Sequence, residues 1–346
     1  MTTPARRIAW IDIARGIGII LVVYAHAARG LVLSKVFPPG GTLLAVDTVI
    51  YAFHMPLFFI LAGLNIERSV ARGRKAFILN KLETIAWPYF LWSLIQGGLK
   101  LLVAPYTNNR ISPSDLVAIP VVPIEQFWFL YVLFFCQLFI AVLLPWRLLV
   151  VGLTLLGVFA WSTIADESIF FRILHYLPYV AAGLFALPLL VWLRERPVAQ
   201  AAILVGAWLV FALLVIPLGP PAQSGVVIYA LAFLGSAGTI AASMMLEVVK
   251  LPMGWLEHLG RVSMPIFLMH TVFSAAARAG LKIAGFSDPG MTLVLVTAAG
   301  ILLPLPAYRI AVALNLTRIL GFGAPVDSAE DRSFAKRPFA VTNPRR

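Results

Sequence analysis

The chain has 346 residues and a formal net charge of +12, yet only 12% are charged, 61% are hydrophobic and the mean hydropathy is +0.92. A soluble chain carries about twice that charged fraction, so a water-soluble globular protein is excluded. The basic residues form no single stripe but cluster between apolar runs, which is a topology signal and excludes a nucleic-acid-binding surface. The one cysteine, Cys136, sits in an apolar run, so neither a disulfide framework nor a thiolate metal cluster is available.

Ten apolar stretches have lengths suited to crossing a bilayer: 9–29, 43–64, 82–104, 126–145, 148–164, 170–193, 199–217, 226–247, 259–280 and 291–314. They predict an all-α, polytopic integral membrane protein. One set of flanks carries Arg6, Arg7, Arg68, Arg72, Arg74, Lys75, Lys81, Arg147, Arg194, Arg196, Lys250 and Arg261. The alternate flanks hold little beyond Lys35, Arg110, Arg172 and Lys282. By the positive-inside rule both termini are expected in the cytoplasm, with residues 1–318 forming the membrane domain and 319–346 a polar cytoplasmic tail. No internal repeat is evident, which weighs against an inverted-repeat transporter.

The first span holds the most informative pattern. Arg15 and His26 are eleven positions apart. At about 100° per residue they share one helix face, separated by roughly 16 Å along the axis. Ionisable groups at membrane depth are costly, so a pair on one stripe suggests a lined path. Asp12 lies one turn before Arg15 and is suited to pair with it, which would serve burial even without chemistry. Arg6-Arg7, the apolar run 17–23 and Ala25-His26-Ala27 imitate a signal peptide, but Asp12 and Arg15 interrupt the segment where a leader would be apolar.

His54 lies in the middle of the second span, in Phe53-His54-Met55-Pro56, where Pro56 frees a backbone carbonyl. It reads either as a pocket residue or as a histidine bonded to that carbonyl. His270, in the ninth span, either faces the same cavity or packs between helices. His175 and His258 stand near span ends and carry little information. Arg68, Arg72 and Arg74 suit anionic lipid headgroups and also bidentate phosphate recognition. No metal motif, P-loop, nucleophile elbow or dinucleotide fingerprint occurs. Chemistry then rests on histidine as base or nucleophile, with arginine handling anions. A secondary transporter with buried His, Arg and Asp, or a glycan or lipid scaffold, is the rival reading.

Five blocks in order resemble the membrane-bound acyltransferase family 3, in a branch similar to fucose 4-O-acetylase-like proteins. They are Trp10-Ile11-Asp12-Ile13-Ala14-Arg15-Gly16 with His26, and Phe53-His54-Met55-Pro56-Leu57-Phe58-Phe59 with Ala62-Gly63. The others are Trp87-Pro88-Tyr89 with Leu91-Trp92-Ser93, Phe127-Trp128-Phe129-Leu130-Tyr131, and Leu259-Gly260-Arg261-Val262-Ser263 with His270. Ala62 departs from the pattern, since many members have serine there, and the hydrolase-like extra domain of some members is absent.

The resemblance implies transfer of an acyl group, usually acetyl, from cytoplasmic acyl-CoA to a hydroxyl of a cell-envelope glycan or glycolipid. It sets the site in a bacterial inner membrane. The expected catalytic residues are His26, Arg15 and Asp12. Arg15, Arg68, Arg72 and Arg74 are expected to hold the donor's phosphates, and His54, His270, Tyr24 and Trp128 to bind substrate. Acetyl-CoA or another acyl-CoA is the expected donor, with no metal. The remaining partners are membrane lipids, and nucleic acid is not expected to bind.

Overall fold

The computed structural model describes residues 8–38, 40–103, 111–164, 168–218, 225–249 and 253–326. The described residues are 83% helical, and no strand occurs among them. The first helices are α1 (Ala9–Leu33), α2 (Gly41–Gly63) and the short α3 (Ile66–Ala71) and α4 (Arg74–Lys81). A π-helical turn, Leu82–Ala86, leads into α5 (Trp87–Leu102), followed by α6 (Pro113–Ala118), α7 (Trp128–Leu143) and α8 (Arg147–Thr163). Next come α9 (Ile169–Arg194), α10 (Pro197–Leu218), α11 (Val227–Val249) and the short α12 (Gly254–Arg261). The last three are α13 (Ser263–Ile283), α14 (Pro289–Leu302) and α15 (Pro304–Ala313).

Eight helical stretches are long and apolar enough to cross a membrane: Ala9–Leu33, Gly41–Ala71, Glu125–Leu143, Ile169–Arg194, Pro197–Pro217, Val227–Val249, Ser263–Ile283 and Pro289–Ala313. The other two expected spans, 82–104 and 148–164, are the shorter α5 and α8, of 16 and 17 residues. α5 continues the helix of α4 and the π turn without a break. Pro88 has no N–H to continue the ladder, and the turn before it is widened to the π type.

α1 is the central element. It packs against α2, α11, α12, α13 and α14. α1 and α2 run antiparallel, since Gly18 meets Leu57 and Phe58 while Arg29 meets Asp47. A second layer forms where α2 packs on α9, and α9 on α7 and α8.

Two backbone crossings depend on glycine. A Cβ on Gly260 would lie 1.8 Å from the Asp12 carbonyl oxygen, and one on Gly16 would lie 2.2 Å from that of Leu256. α12 therefore rests on the first turns of α1. At the α2–α9 crossing, a Cβ on Gly63 would meet the Val180 oxygen at 2.1 Å, and one on Gly183 the Ile60 oxygen at 2.0 Å. In a bilayer, where lipid tails are as apolar as leucine, such close approach is a main source of helix association.

The folded part extends beyond residue 318. Trp87 and Trp92 donate their indole N–H groups to the carbonyls of Ile319 and Leu320, each at 2.8 Å. Phe322 is buried beside Trp92 and Tyr308. The rest of the expected tail, 327–346, lies outside the described residues, as do Arg6, Arg7, Arg110 and Lys250.

Candidate functional site

The N-terminal end of α1 carries the anion-handling candidates. Asp12 is 4% exposed, and its Oδ1 lies 3.9 Å from Nη1 of the half-buried Arg15, so the expected pair across one turn is present. Arg15 and Arg72 both act electrostatically on Lys81, the last residue of α4. Burial first, then these two guanidinium charges, push the Lys81 ammonium down from its ordinary value to about 8. Arg72 also donates to Ser69 Oγ at 3.1 Å. Arg68 is half-buried in α3, and Arg74 is exposed at the start of α4. Lys81 was read from sequence only as a topology signal. Its approach to Arg15 depends on the fold-back of α3 and α4, which no local pattern encodes.

Along α1, His26 lies deep in the bundle between the buried Ala25 and Ala27 and is itself mostly buried. On α13, His270 is fully buried and its ring stands edge-on to His26, centroids 5.1 Å apart. His54 on α2 is buried and lies within electrostatic reach of His26. The three histidines come from α1, α2 and α13, so they meet only because α1 is flanked by the other two.

His54 donates from Nδ1 to the Ile50 carbonyl at 2.8 Å. A carbonyl only accepts, so this nitrogen carries the proton and Nε2 is left with the lone pair. The bonded carbonyl is not the one that Pro56 frees, which belongs to the residue four positions earlier, Ala52.

Beside His54 is Tyr51, ring centroids 4.8 Å apart. The Arg29 guanidinium carbon lies 3.2 Å from the Tyr51 ring centroid, and Arg29 donates two bonds to Asp47 at 3.0 and 2.8 Å. This stacked, bidentate pair closes the C-terminal end of α1, and sequence reading missed it because Arg29 and Asp47 sit on different helices. Tyr24 is two positions from His26, about 200° around the helix. It lies within reach of the Asp47 charge and not on the Arg15–His26 stripe.

Trp128, at the start of α7, sits 5.0 Å from the Tyr176 ring and under the Arg172 guanidinium at 5.2 Å. Tyr176 stacks on Phe59 at 4.4 Å and lies within electrostatic reach of Tyr51. An aromatic wall thus runs from Trp128 toward Tyr51 and His54.

Two further polar clusters were not anticipated. Gln126 donates to Gln96 Oε1 at 2.7 Å and to Thr271 Oγ1 at 3.0 Å, and Thr271 donates to Gln96 Oε1 at 2.9 Å. Gln96 in turn donates to the Leu268 carbonyl at 2.6 Å, so this network clamps α13 on both sides of His270. His175 is buried, hydrogen-bonded through Nδ1 to the Tyr229 hydroxyl at 2.9 Å and stacked on Trp161 at 4.2 Å. Fully engaged with α8 and α11, it reads as a packing histidine.

An apolar pocket between α5 and α7, lined by Tyr89, Phe90, Leu130, Tyr131, Phe134 and Phe135, contains none of the candidate residues. Among the described residues no group of three or more His, Cys, Asp or Glu could hold a metal ion.

One end of α1 thus gathers cations and the middle of the bundle gathers imidazoles beside an aromatic wall. Such an arrangement can hold an anionic group and abstract a proton some way along the same helix. In comparisons with known proteins, a family model described as an acyltransferase domain matches residues 8–309. No curated protein and no solved structure matches the chain.

Proposed function

The chain belongs to this acyltransferase-domain family, and from that premise we propose that it moves an acetyl or other short acyl group from cytoplasmic acyl-CoA to a hydroxyl of a cell-envelope sugar, glycan or glycolipid. The observation that carries the reading is the mostly buried His26 inside the bundle, beside His270 and on the same stripe of α1 as Arg15. The axial gap of roughly 16 Å is similar to the reach of an extended pantetheine arm. The blocks resembling the fucose 4-O-acetylase-like branch favour a sugar hydroxyl as acceptor, and the aromatic wall at Trp128 and Tyr176 suits a sugar ring.

In this reading the donor enters from the basic, cytoplasmic face of a bacterial inner membrane, with both termini on that side. Arg15, with one or more of Arg68, Arg72 and Arg74, holds its phosphates through charge-assisted hydrogen bonds. Asp12 orients Arg15. The thioester lies near His26, which takes the proton of the acceptor hydroxyl as general base. The oxygen attacks the thioester carbonyl, the C–S bond breaks, and the proton on His26 passes to the departing thiolate. Attack by His26 itself, forming an acyl-histidine, is the covalent variant of the same chemistry.

The test is the intact mass of envelope glycans from a deletion strain, compared with the wild type and with a strain carrying the gene in trans. Loss of acetyl-sized increments on deletion, restored by the gene, is the expected result. Unchanged glycan masses, with altered uptake or export of a solute instead, would replace the enzyme with a transporter.

A further inference from the structure

His270 donates from Nδ1 to the Phe267 carbonyl at 2.7 Å. That contact fixes its tautomer, because the carbonyl can only accept. The lone pair is therefore on Nε2, which is buried with no hydrogen-bond partner. An unmet acceptor at a fully buried position costs free energy, and native structures rarely keep one without a use. The ring beside it is that of His26, edge-on with centroids 5.1 Å apart. The network of Gln96, Gln126 and Thr271 holds α13 on either side, so the lone pair is fixed in place rather than floating.

Resting on the acyl-transfer reading above, we propose that His270 is a positioning residue for His26: its Nε2 accepts an N–H of His26 and so leaves the other His26 nitrogen free to take the acceptor's proton. The His26 ring turns about χ2, which is soft for histidine, and the contact tightens as substrates bind. When the acceptor oxygen attacks, its O–H bond breaks and His26 becomes an imidazolium with both nitrogens protonated. One N–H stays bonded to His270 Nε2, and the other passes its proton to the thiolate formed as the C–S bond breaks. His270 stays neutral throughout and holds the imidazolium charge by its lone pair.

Three substitutions separate this role from packing. His270→Asn puts an amide near the Nδ1 position and keeps the bond to Phe267, but has nothing at Nε2. His270→Gln reaches the Nε2 position with an acceptor oxygen. His270→Phe keeps the ring and loses both. The assay is acyl transfer in membranes at matched expression, with apparent KM for acetyl-CoA recorded beside kcat. Misorientation of a catalytic group costs about a hundredfold in rate, so Phe and Asn should lose that much in kcat at unchanged donor KM, and Gln should recover most of it. Rescue by Asn rather than Gln, equal loss in all three, or no loss in any overturns the assignment.

A measurement on the unmutated protein covers variants that do not fold. In histidine-labelled protein saturated with CoA, a 15N–15N coupling across an N–H···N bond between His26 and His270 is expected, and its absence counts against the pair. His26→Ala run in parallel separates the two levels. If it transfers acyl groups normally, the general-base reading fails whatever His270 does. If it is inactive while the His270 series shows packing behaviour, only the positioning role fails.

Discussion

At the residue scale the sequence exposed some side chains and hid others, for one reason. Asp12, Arg15 and His26 were legible because they share a helix, where spacing alone fixes the face. The pairing of His26 with His270, of Arg29 with Asp47, and of Gln96 with Gln126 and Thr271 was not legible, because each joins residues that only the tertiary fold brings together. Lys81 is of the same kind. A donor phosphate placed among Arg15, Arg72 and Lys81 would favour the charged ammonium and raise its pKa above the value of about 8 that burial and the two guanidiniums set. Binding then takes up a proton. Affinity for CoA should be full below pH 8 and should fall as pH rises through the higher value in the complex. Titration calorimetry across pH 7 to 10, as about three units spanning that window, checks it. Lys81→Met should bind more weakly and lose the pH dependence. Arg15→Lys should bind better than Arg15→Ala, since charge survives but the bidentate fork does not. An equally steep pH dependence in Lys81→Met would remove Lys81 from the donor site.

Elements with long uninterrupted apolar runs were read correctly from sequence: α1, α2, α7, α9 and α13 all fall where hydropathy put them. The reading was less complete where helices are short. α3, α4 and α12 are six to eight residues long, too short to stand out as membrane spans. α6, in the loop after α5, is capped by Ser112 and Asp115, whose reciprocal hydrogen bonds form a capping box. Of these, α12 matters most to the site, because its backbone rests on the turn that carries Asp12 and Arg15. Gly260→Ala would place a methyl group 1.8 Å from the Asp12 carbonyl oxygen, a backbone atom that cannot swing aside. Overpacking of this kind costs about 1–3 kcal/mol. Thermal unfolding in detergent should show the loss, and donor affinity should drop with it as Arg15 is displaced. Gly254→Ala, on the same helix with nothing within 4 Å of its added carbon, is the control and should change neither. Equal effects of the two would mean that the α1–α12 contact does not hold the site.

For the whole molecule, α1 is the axis on which the proposal turns. It is surrounded by five helices, with cations gathered at its N-terminal end and His26 further along. In the proposed reading, which follows the positive-inside rule, that basic end faces the cytoplasm. A reporter fused after residue 346 should accordingly be active only as a cytoplasmic protein, and activity on the outer side would remove the proposed donor entry. The central claim is that an acyl group taken from cytoplasmic acyl-CoA is passed to its acceptor by way of His26. Membrane vesicles of both orientations, prepared from expressing cells and carrying the native acceptor, test it directly. With acetyl-labelled acetyl-CoA added outside, inside-out vesicles should incorporate label into the glycan fraction, while sealed right-side-out vesicles should not. A general base contributes roughly 10² to 10⁴-fold, so His26→Gln should reduce incorporation by inside-out vesicles to near background. Labelling by sealed right-side-out vesicles, or most of the activity surviving in His26→Gln, would contradict the account.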